Sequence, residues 1–190
     1  MIGIGIIGCG EVGATIAKIA NFFGMKVLIH SYMQNPNLTE FCKFVTLDEL
    51  LAESDIISLH ISSTGENYHM LGVEEFKKMK DGVYIVNTAR GELIDIRALY
   101  ENLISGKVKG AGLDVLECEF LLTHPAELGN MSDSECVETT LITQKLFNMP
   151  NVIITPHIAY NTNESVNYLL QVTFNNIRDY FKGMNSNRVC

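Results

Sequence analysis

The sequence predicts an α/β fold in which a doubly wound parallel sheet is followed by a C-terminal helix. The first observation is an apolar run over residues 2–7 that leads straight into a glycine-rich turn. The second is that short apolar runs alternate with amphipathic segments along the chain, which is typical of parallel strands connected by helices. The third is that no linker interrupts this alternation over the 190 residues. We therefore expect one domain spanning residues 1–190.

The glycine-rich turn has the spacing G-x-G-x-x-G. Gly8 permits a tight turn after the strand, Gly10 lets a pyrophosphate approach the backbone, and Gly13 lets the next helix pack closely. That helix begins at Glu11 and Val12, and its N-terminus offers unpaired N–H groups to phosphates. The pattern predicts a Rossmann-type dinucleotide-binding domain. The alternative is an ordinary strand-to-helix turn whose glycines serve packing alone.

Apolar periodicity assigns the remaining elements in chain order. The predicted strands span residues 2–7, 25–30, 55–59, 82–86, 110–115 and 152–154. The predicted helices span residues 11–23, 47–52, 73–79, 94–104, 138–147 and 164–181. In the first helix one apolar face is expected to contain Val12, Ile16, Ile19, Ala20 and Phe23, with Gly24 as the C-terminal cap.

Composition excludes several classes of function. The net charge is −8 with no basic run, which argues against nucleic acid or an anionic membrane surface as a partner. No apolar run approaches the roughly 18 residues of a membrane span, and we find no charged leader before the first strand. The five cysteines include no C-x-x-C pair. They predict a reducing, cytoplasmic compartment, without a disulfide framework and without a metal site.

Ligands of such sheets bind beyond the carboxyl ends of the strands, where the sequence places Arg90, Glu119 and His157. An arginine can bind a carboxylate through two hydrogen bonds, and a histidine can transfer a proton near neutral pH. A neighbouring carboxylate can orient the imidazole and favour its protonated form. Each residue also has a simpler interpretation: a surface ion pair for Arg90, a solvated acidic loop for Glu119, and a structural histidine for His157.

The remaining histidines and Cys9 lack partner residues in the sequence that would suit catalysis. His30, His60, His69 and His124 lack neighbours suited to proton transfer in the sequence, so they are interpreted as structural or solvated. Cys9 lies in the glycine turn without an obvious base, and we interpret it as a packing residue.

Five ordered motifs resemble the D-isomer-specific 2-hydroxyacid dehydrogenases. They are GIIGCGEVG at residues 5–13, SDIISLH at 54–60, VNTARGELID at 86–95, AGLDVLECE at 111–119 and PNVIITPHIAY at 150–160. The segment between Glu119 and Pro150 looks most like the D-lactate and D-2-hydroxyisocaproate branch, including the lactate dehydrogenases of vancomycin resistance.

The resemblance implies hydride transfer between NAD(H) and a small 2-keto or 2-hydroxy acid. Arg90 would bind the substrate carboxylate, His157 would be the acid and base, and Glu119 would pair with His157. Asp114 would position the nicotinamide carboxamide, and Thr88 and Ala89 would line its pocket. The residues that the resemblance places at the cofactor are Gly8, Gly10, Glu11, Val12, Gly13, Ser31, His60, Ile61, Ser62, Thr88, Ala89, Arg90, Asp114 and His157.

The chain departs from the family pattern at three points. Ser31 replaces the acid that binds the adenine ribose, so NADP stays an alternative to NAD. Ser62 stands where the family has proline beside the adenine site. The third departure is length, because the residues of a substrate-binding domain are absent. From about residue 162 onward, the C-terminal helix and tail would return to that missing domain.

The chain therefore reads as the nucleotide-binding half of an enzyme: an expression fragment, a truncated gene product or half of a split enzyme. Its partners would be a small acid substrate and either a second copy or the missing substrate-binding half. The rival interpretation is a non-catalytic nucleotide-sensing module. A methyltransferase with a glycine-rich loop would explain none of the later motifs.

Overall fold

The computed structural model describes residues 1–33, 36–124, 126, 134–184 and 187. These group into two compact parts, Met1–Pro156 and His157–Cys190. The first part contains all the strands found among these described residues, and the second contains the long C-terminal helix. The domain limits proposed from the sequence stay a prediction.

The first part is built on a sheet of seven parallel strands. The strands are β1 (Gly3–Ile7), β2 (Lys26–His30), β3 (Cys42–Phe44), β4 (Ile56–Leu59), β5 (Val83–Asn87), β6 (Val108–Leu113) and β7 (Val152–Ile154). Their order in the sheet is β3-β2-β1-β4-β5-β6-β7. The chain grows outward from β1 to β3 and then returns to the other side of β1 with β4. This switch creates a crevice at the carboxyl ends of β1 and β4.

Helices connect most of the strands. They are α1 (Glu11–Phe22), α2 (Leu47–Glu53), α3 (Val73–Lys78), α4 (Ile96–Ser105), α5 (Glu119–Thr123), α6 (Ser134–Leu146) and α7 (Asn163–Phe181). Side chains define where several of them begin. Thr46 and Glu49 form a capping box on α2, and Asp95 Oδ1 accepts from the backbone N–H groups of Arg97 and Ala98 at the start of α4.

The sheet is covered on both faces, which confirms the predicted fold class. Alternating strand residues point to opposite sides, so Ile6 and Ile29 belong to one apolar cluster, whereas Ile7 and Leu28 belong to the other. The smaller cluster includes Ala17 of α1. The larger cluster collects side chains from the helices on the second face.

The predicted apolar face of α1 is confirmed at Ala20 and in part at Ile16, which packs against the smaller cluster, but it is wrong at Val12, Ile19 and Phe23. The buried residues of this helix are Gly13, Ala17 and Ala20. The larger side chains Val12 and Ile19 are 61% and 48% exposed. The helix lies too close to the sheet for large side chains, so its small residues face the core. The predicted C-terminal cap is confirmed, because Gly24 has a φ of +74°.

The expectation that no disulfide would be present is also wrong. Cys118 and Cys136 are bonded, with a Cα–Cα distance of 5.8 Å. The bond joins the first turn of α6 to the residue that precedes α5. Cys9 and Cys42 are not in disulfides, and Cys190 lies outside the described residues.

The second part consists mainly of α7. Thr162 caps its N-terminus by accepting from the backbone N–H of Ser165, and none of its residues is buried. One apolar set is at least half exposed and comprises Tyr168, Leu169, Leu170, Phe174, Ile177 and Tyr180. None of the helices among the described residues combines the length and the hydropathy needed to cross a membrane.

Candidate functional site

A cavity of about 420 Å³ lies at the carboxyl ends of β1, β2 and β4, at the switch point of the sheet. Six of the predicted cofactor residues line it: Gly8, Gly10, Ser31, His60, Ile61 and Ser62. The structure brings these six residues together, and their role in cofactor binding stays a prediction. Its position and size are those of a nucleotide-sized cleft.

The turn between β1 and α1 leaves space where a phosphate would bind. Gly8 has a φ of +99°, and a Cβ on it would lie 2.3 Å from the carbonyl oxygen of His60. A Cβ on Gly13 would lie 2.1 Å from the carbonyl oxygen of Gly8. By contrast, a Cβ on Gly10 would have no atom within 4 Å. The first and third glycines are thus required by packing, whereas the second keeps the surface open above the N-terminus of α1, where Glu11 and Val12 lie.

Uncharged residues after β2 line one wall of the cavity. Ser31 is half-buried there, and Tyr32 and Met33 are exposed. Among the described residues that line the cavity there is no lysine or arginine, and Glu66 is acidic. The cavity therefore offers no evident cation for a 2′-phosphate.

His60 is held at the end of β4 in a form that favours the neutral ring. Its Nε2 lies 2.8 Å from Ser58 Oγ, and Ser58 is buried. Burial lowers the pKa of His60 below its usual value. The imidazole is therefore a neutral hydrogen-bonding group at the cavity wall at neutral pH.

Asn87 organises the turn that follows β5. Its side-chain Oδ1 accepts from the backbone N–H of Ala89 at 3.0 Å, and its Nδ2 donates to the carbonyl of Arg90 at 2.8 Å. Asn87 is 1% exposed, so these bonds are shielded from water. The turn presents Thr88 and Arg90 on the surface, while Ala89 is buried. The sequence placed Asn87 at a strand end but gave no reason to assign it this role.

Three buried or half-buried carboxylates follow β6, and two of them, Asp114 and Glu119, are predicted site residues. Asp114 is 5% exposed, and its Oδ1 accepts from Thr155 Oγ1 at 2.5 Å. Thr155 follows β7, so this bond links the ends of two neighbouring strands. Glu119 is half-buried, and its Oε1 accepts from the backbone N–H of Leu116 at 2.8 Å. Arg90, Asp114 and Glu119 therefore lie beyond the carboxyl ends of adjacent strands.

His157 is the first residue of the second compact part. Its φ is +53°, its side chain is exposed, and its ring meets Tyr160 edge-on with 6.5 Å between centroids. The pairing of His157 with Glu119 stays a prediction, as do the binding roles assigned to all these residues.

His69, which the sequence analysis interprets as structural or solvated, contacts a buried carboxylate. Its Nε2 lies 3.1 Å from Glu117 Oε2. Tyr68 contacts the same carboxylate. Residues 68 and 117 are far apart in the sequence, which gave no signal for this contact.

Comparisons with known proteins show similarity over nearly the whole chain. The family model described as the NAD binding domain of D-isomer specific 2-hydroxyacid dehydrogenases matches residues 3–159. An aromatic 2-oxoacid reductase from Clostridium sporogenes is 40% identical, with 98% of this chain and 56% of the relative covered. A D-lactate dehydrogenase from Lactiplantibacillus plantarum is 39% identical, with 94% and 52% covered.

A solved structure extends the similarity to three dimensions. The D-lactate dehydrogenase from Aquifex aeolicus, complexed with NAD and lactic acid, has a TM-score of 0.88 and 40% identity. The match covers 96% of this chain and 54% of that structure. The chain thus spans about half the length of the relatives that it matches.

Proposed function

This chain belongs to the D-isomer specific 2-hydroxyacid dehydrogenase family, of which it is the NAD binding domain, and from that premise we propose the activity of the whole protein. The protein would transfer hydride between NAD(H) and a small 2-keto or 2-hydroxy acid. The observation that carries the proposal is that the open glycine turn lies at the same edge of the sheet as the carboxyl ends of β5 and β6. That edge presents Arg90 and Glu119.

The cofactor would be held by the glycine turn and the cavity at the ends of β1, β2 and β4. Gly10 leaves room for the pyrophosphate above the N-terminus of α1. Ser31 would face the adenine ribose, and Asp114 would orient the nicotinamide carboxamide. When bound, NAD(H) supplies or accepts the hydride.

Side chains would bind the substrate and transfer the proton. Arg90 binds the substrate carboxylate through its guanidinium and polarises the carbonyl group. His157 donates a proton to the developing alkoxide during reduction and accepts it during oxidation. Glu119 stabilises the protonated imidazole, because a nearby carboxylate favours the cation. In a complete protein of the relatives' length, the substrate acid would be closed in by residues beyond this chain.

Further features follow from the same proposal. NAD(H) chemistry on small acids is consistent with a cytoplasmic location, where Cys118–Cys136 would face a reducing thiol pool. A homodimer is the proposed assembly. The acidic net charge of −8 supports the proposal that neither nucleic acid nor a membrane surface is a partner.

Arg90→Lys tests the substrate assignment in the complete protein. The ammonium keeps the charge but lacks the two parallel donors of a guanidinium. We expect the KM for a 2-keto acid to rise about tenfold, as for a loss of roughly 1.4 kcal/mol, while the KM for NADH is unchanged. Arg97→Lys is the matched control, since Arg97 forms an exposed ion pair with Glu138.

A complete protein that binds NADH but reduces no 2-keto acid would contradict the proposed enzyme. That outcome would instead support the alternative function, a nucleotide-sensing module without catalysis. An equal rise of the KM in both arginine variants would contradict the role of Arg90.

A further inference from the structure

Three side chains contact one another outside the residues assigned to catalysis, and we refer to Tyr68, His69 and Glu117 as the Glu117 cluster. The Tyr68 hydroxyl donates to Glu117 Oε1 at 2.6 Å. His69 Nε2 lies 3.1 Å from Oε2 and 3.3 Å from Oε1. Glu117 is 8% exposed, so these side chains replace water around its carboxylate. An ionised carboxylate only accepts hydrogen bonds, which means that Nε2 of His69 carries a hydrogen.

The two donors of the cluster are themselves held in place. The rings of Tyr68 and His69 stack with 3.9 Å between centroids. Burial raises the pKa of Tyr68, and the hydrogen bond to Glu117 and its charge raise it further. The hydroxyl therefore remains a donor throughout the physiological pH range.

The backbone beside the cluster binds the segment that follows Arg90. The N–H of His69 donates to the carbonyl of Glu92 at 2.8 Å, and the N–H of Leu71 donates to the carbonyl of Leu93 at 3.0 Å. The loop at residues 68–71 thus fixes the segment that begins directly after the proposed substrate-binding arginine.

The same segment lies directly against the residues that hold Glu119. A Cβ on Gly91 would lie 2.1 Å from the carbonyl carbon of Leu116 and 2.3 Å from the backbone nitrogen of Glu117. The N–H of Leu116 is the donor to Glu119 Oε1. Glu117 is therefore next in sequence to the peptide that holds Glu119, and its side chain binds the loop that holds the Arg90 segment.

We propose that Glu117 is a positioning residue, which fixes the segments carrying Arg90 and Glu119 relative to each other through Tyr68 and His69. The catalytic consequence rests on the proposed function. The positional consequence does not, because it follows from contacts within the first compact part. Without the Glu117 carboxylate, the loop at residues 68–71 loses its side-chain link to the Leu116 segment.

Amide hydrogen exchange measured by NMR on this chain tests the positional consequence. Glu117→Gln replaces one of the two acceptor oxygens by an amide NH₂ and removes the carboxylate, so the contacts with Tyr68 and His69 are weakened. We expect the amide hydrogens of Leu116 and His69 to exchange about tenfold faster, because their hydrogen bonds open more often. Glu49→Gln is the control, since Glu49 also accepts hydrogen bonds but lies at the start of α2. It should leave both amides unchanged.

Tyr68→Phe provides a second variant in case Glu117→Gln does not fold. Tyr68 is 47% exposed, so removal of its hydroxyl should be tolerated, and the same two amides should exchange faster. Exchange within twofold of the parent at Leu116 and His69, in whichever variant is folded, would overturn the proposal.

Kinetics of the complete protein separate this proposal from the proposed function. We expect Glu117→Gln to lower kcat about tenfold and to leave the KM for NADH unchanged, whereas Glu49→Gln changes neither. An active parent whose kcat is unaffected by Glu117→Gln would overturn the positioning role. A parent without reduction activity would contradict the proposed function, and the exchange measurement would still decide the position of the two segments.

Discussion

At the scale of single residues, the cavity is defined by small or neutral groups at strand ends. Gly10 leaves open space and Ser31 presents a hydroxyl, while His60 is kept neutral by burial. Arg90 and Glu119 are held in place by residues whose roles could not be assigned from the sequence. Asn87 shapes the turn before Arg90, and the N–H of Leu116 holds Glu119.

Ser31 is the residue that sets cofactor preference in this account. A hydroxyl can accept from the adenine ribose but does not repel a 2′-phosphate, so we expect only modest discrimination between NADH and NADPH. Ser31→Asp adds a carboxylate that binds the ribose hydroxyls and repels the phosphate. Titration of both cofactors should show a preference for NADH that is about tenfold stronger in Ser31→Asp and unchanged in the control Ser31→Ala. A strong preference of the parent for NADPH would contradict this assignment.

His60 should make folding stability depend on pH. Because its folded pKa lies below the usual value of 6.5, the unfolded chain binds more protons, and stability rises with pH. The contribution is fully present above about pH 6.5 and is lost as pH falls toward the folded pKa. Urea unfolding at several pH values should show a shallower decline in His60→Gln than in the parent. The exposed His124→Gln is the control, and a decline as steep in His60→Gln as in the parent would refute the role of His60.

At the scale of elements, the sequence predicted the strands and helices with strong periodicity to within a few residues. It missed β3, whose three residues include Lys43 and so lack the continuous apolar run of β7, and it missed α5, which is only five residues long. The large apolar side chains of Ile19 and Phe23 led to their prediction as part of the buried face of α1. Because this helix packs close to the sheet, the small residues Ala17 and Ala20 are buried instead. Strand ends likewise indicated Arg90 and Glu119, but contacts between distant segments are not encoded in any local pattern.

The disulfide between α5 and α6 should stabilise the fold measurably. Cys118 and Cys136 are 18 residues apart, and closure of a loop of this length restricts the unfolded chain by about 3 kcal/mol. Reduction should lower the free energy of unfolding in urea by about that amount. Cys136→Ser should unfold like the reduced parent, while the control Cys42→Ser should keep the full effect of reduction. Equal stability of the oxidised and reduced parent would contradict this role.

At the scale of the whole molecule, the chain spans about half the length of the relatives that it matches. It covers 56% and 52% of two curated relatives, and no residue of α7 is buried. The sequence analysis expects this helix to return to a further domain, and that expectation stays a prediction. The sequence identified the family because the family depends on local motifs at strand ends. The relation of His157 to Glu119 depends on long-range assembly and stays a prediction.

The central claim is that the cavity above Gly10 binds NAD(H) in this chain, and NADH fluorescence titration tests it most directly. The chain contains no tryptophan, so the cofactor signal is free of that background. Gly10→Val fills the open space above the turn, and Gly65→Val is the matched control, because a Cβ there also meets no atom within 4 Å. Saturable binding by the parent and the control, with binding by Gly10→Val at least about tenfold weaker at an unchanged melting temperature, is the predicted result. Equal binding by a folded Gly10→Val, or no binding by the parent, would contradict it.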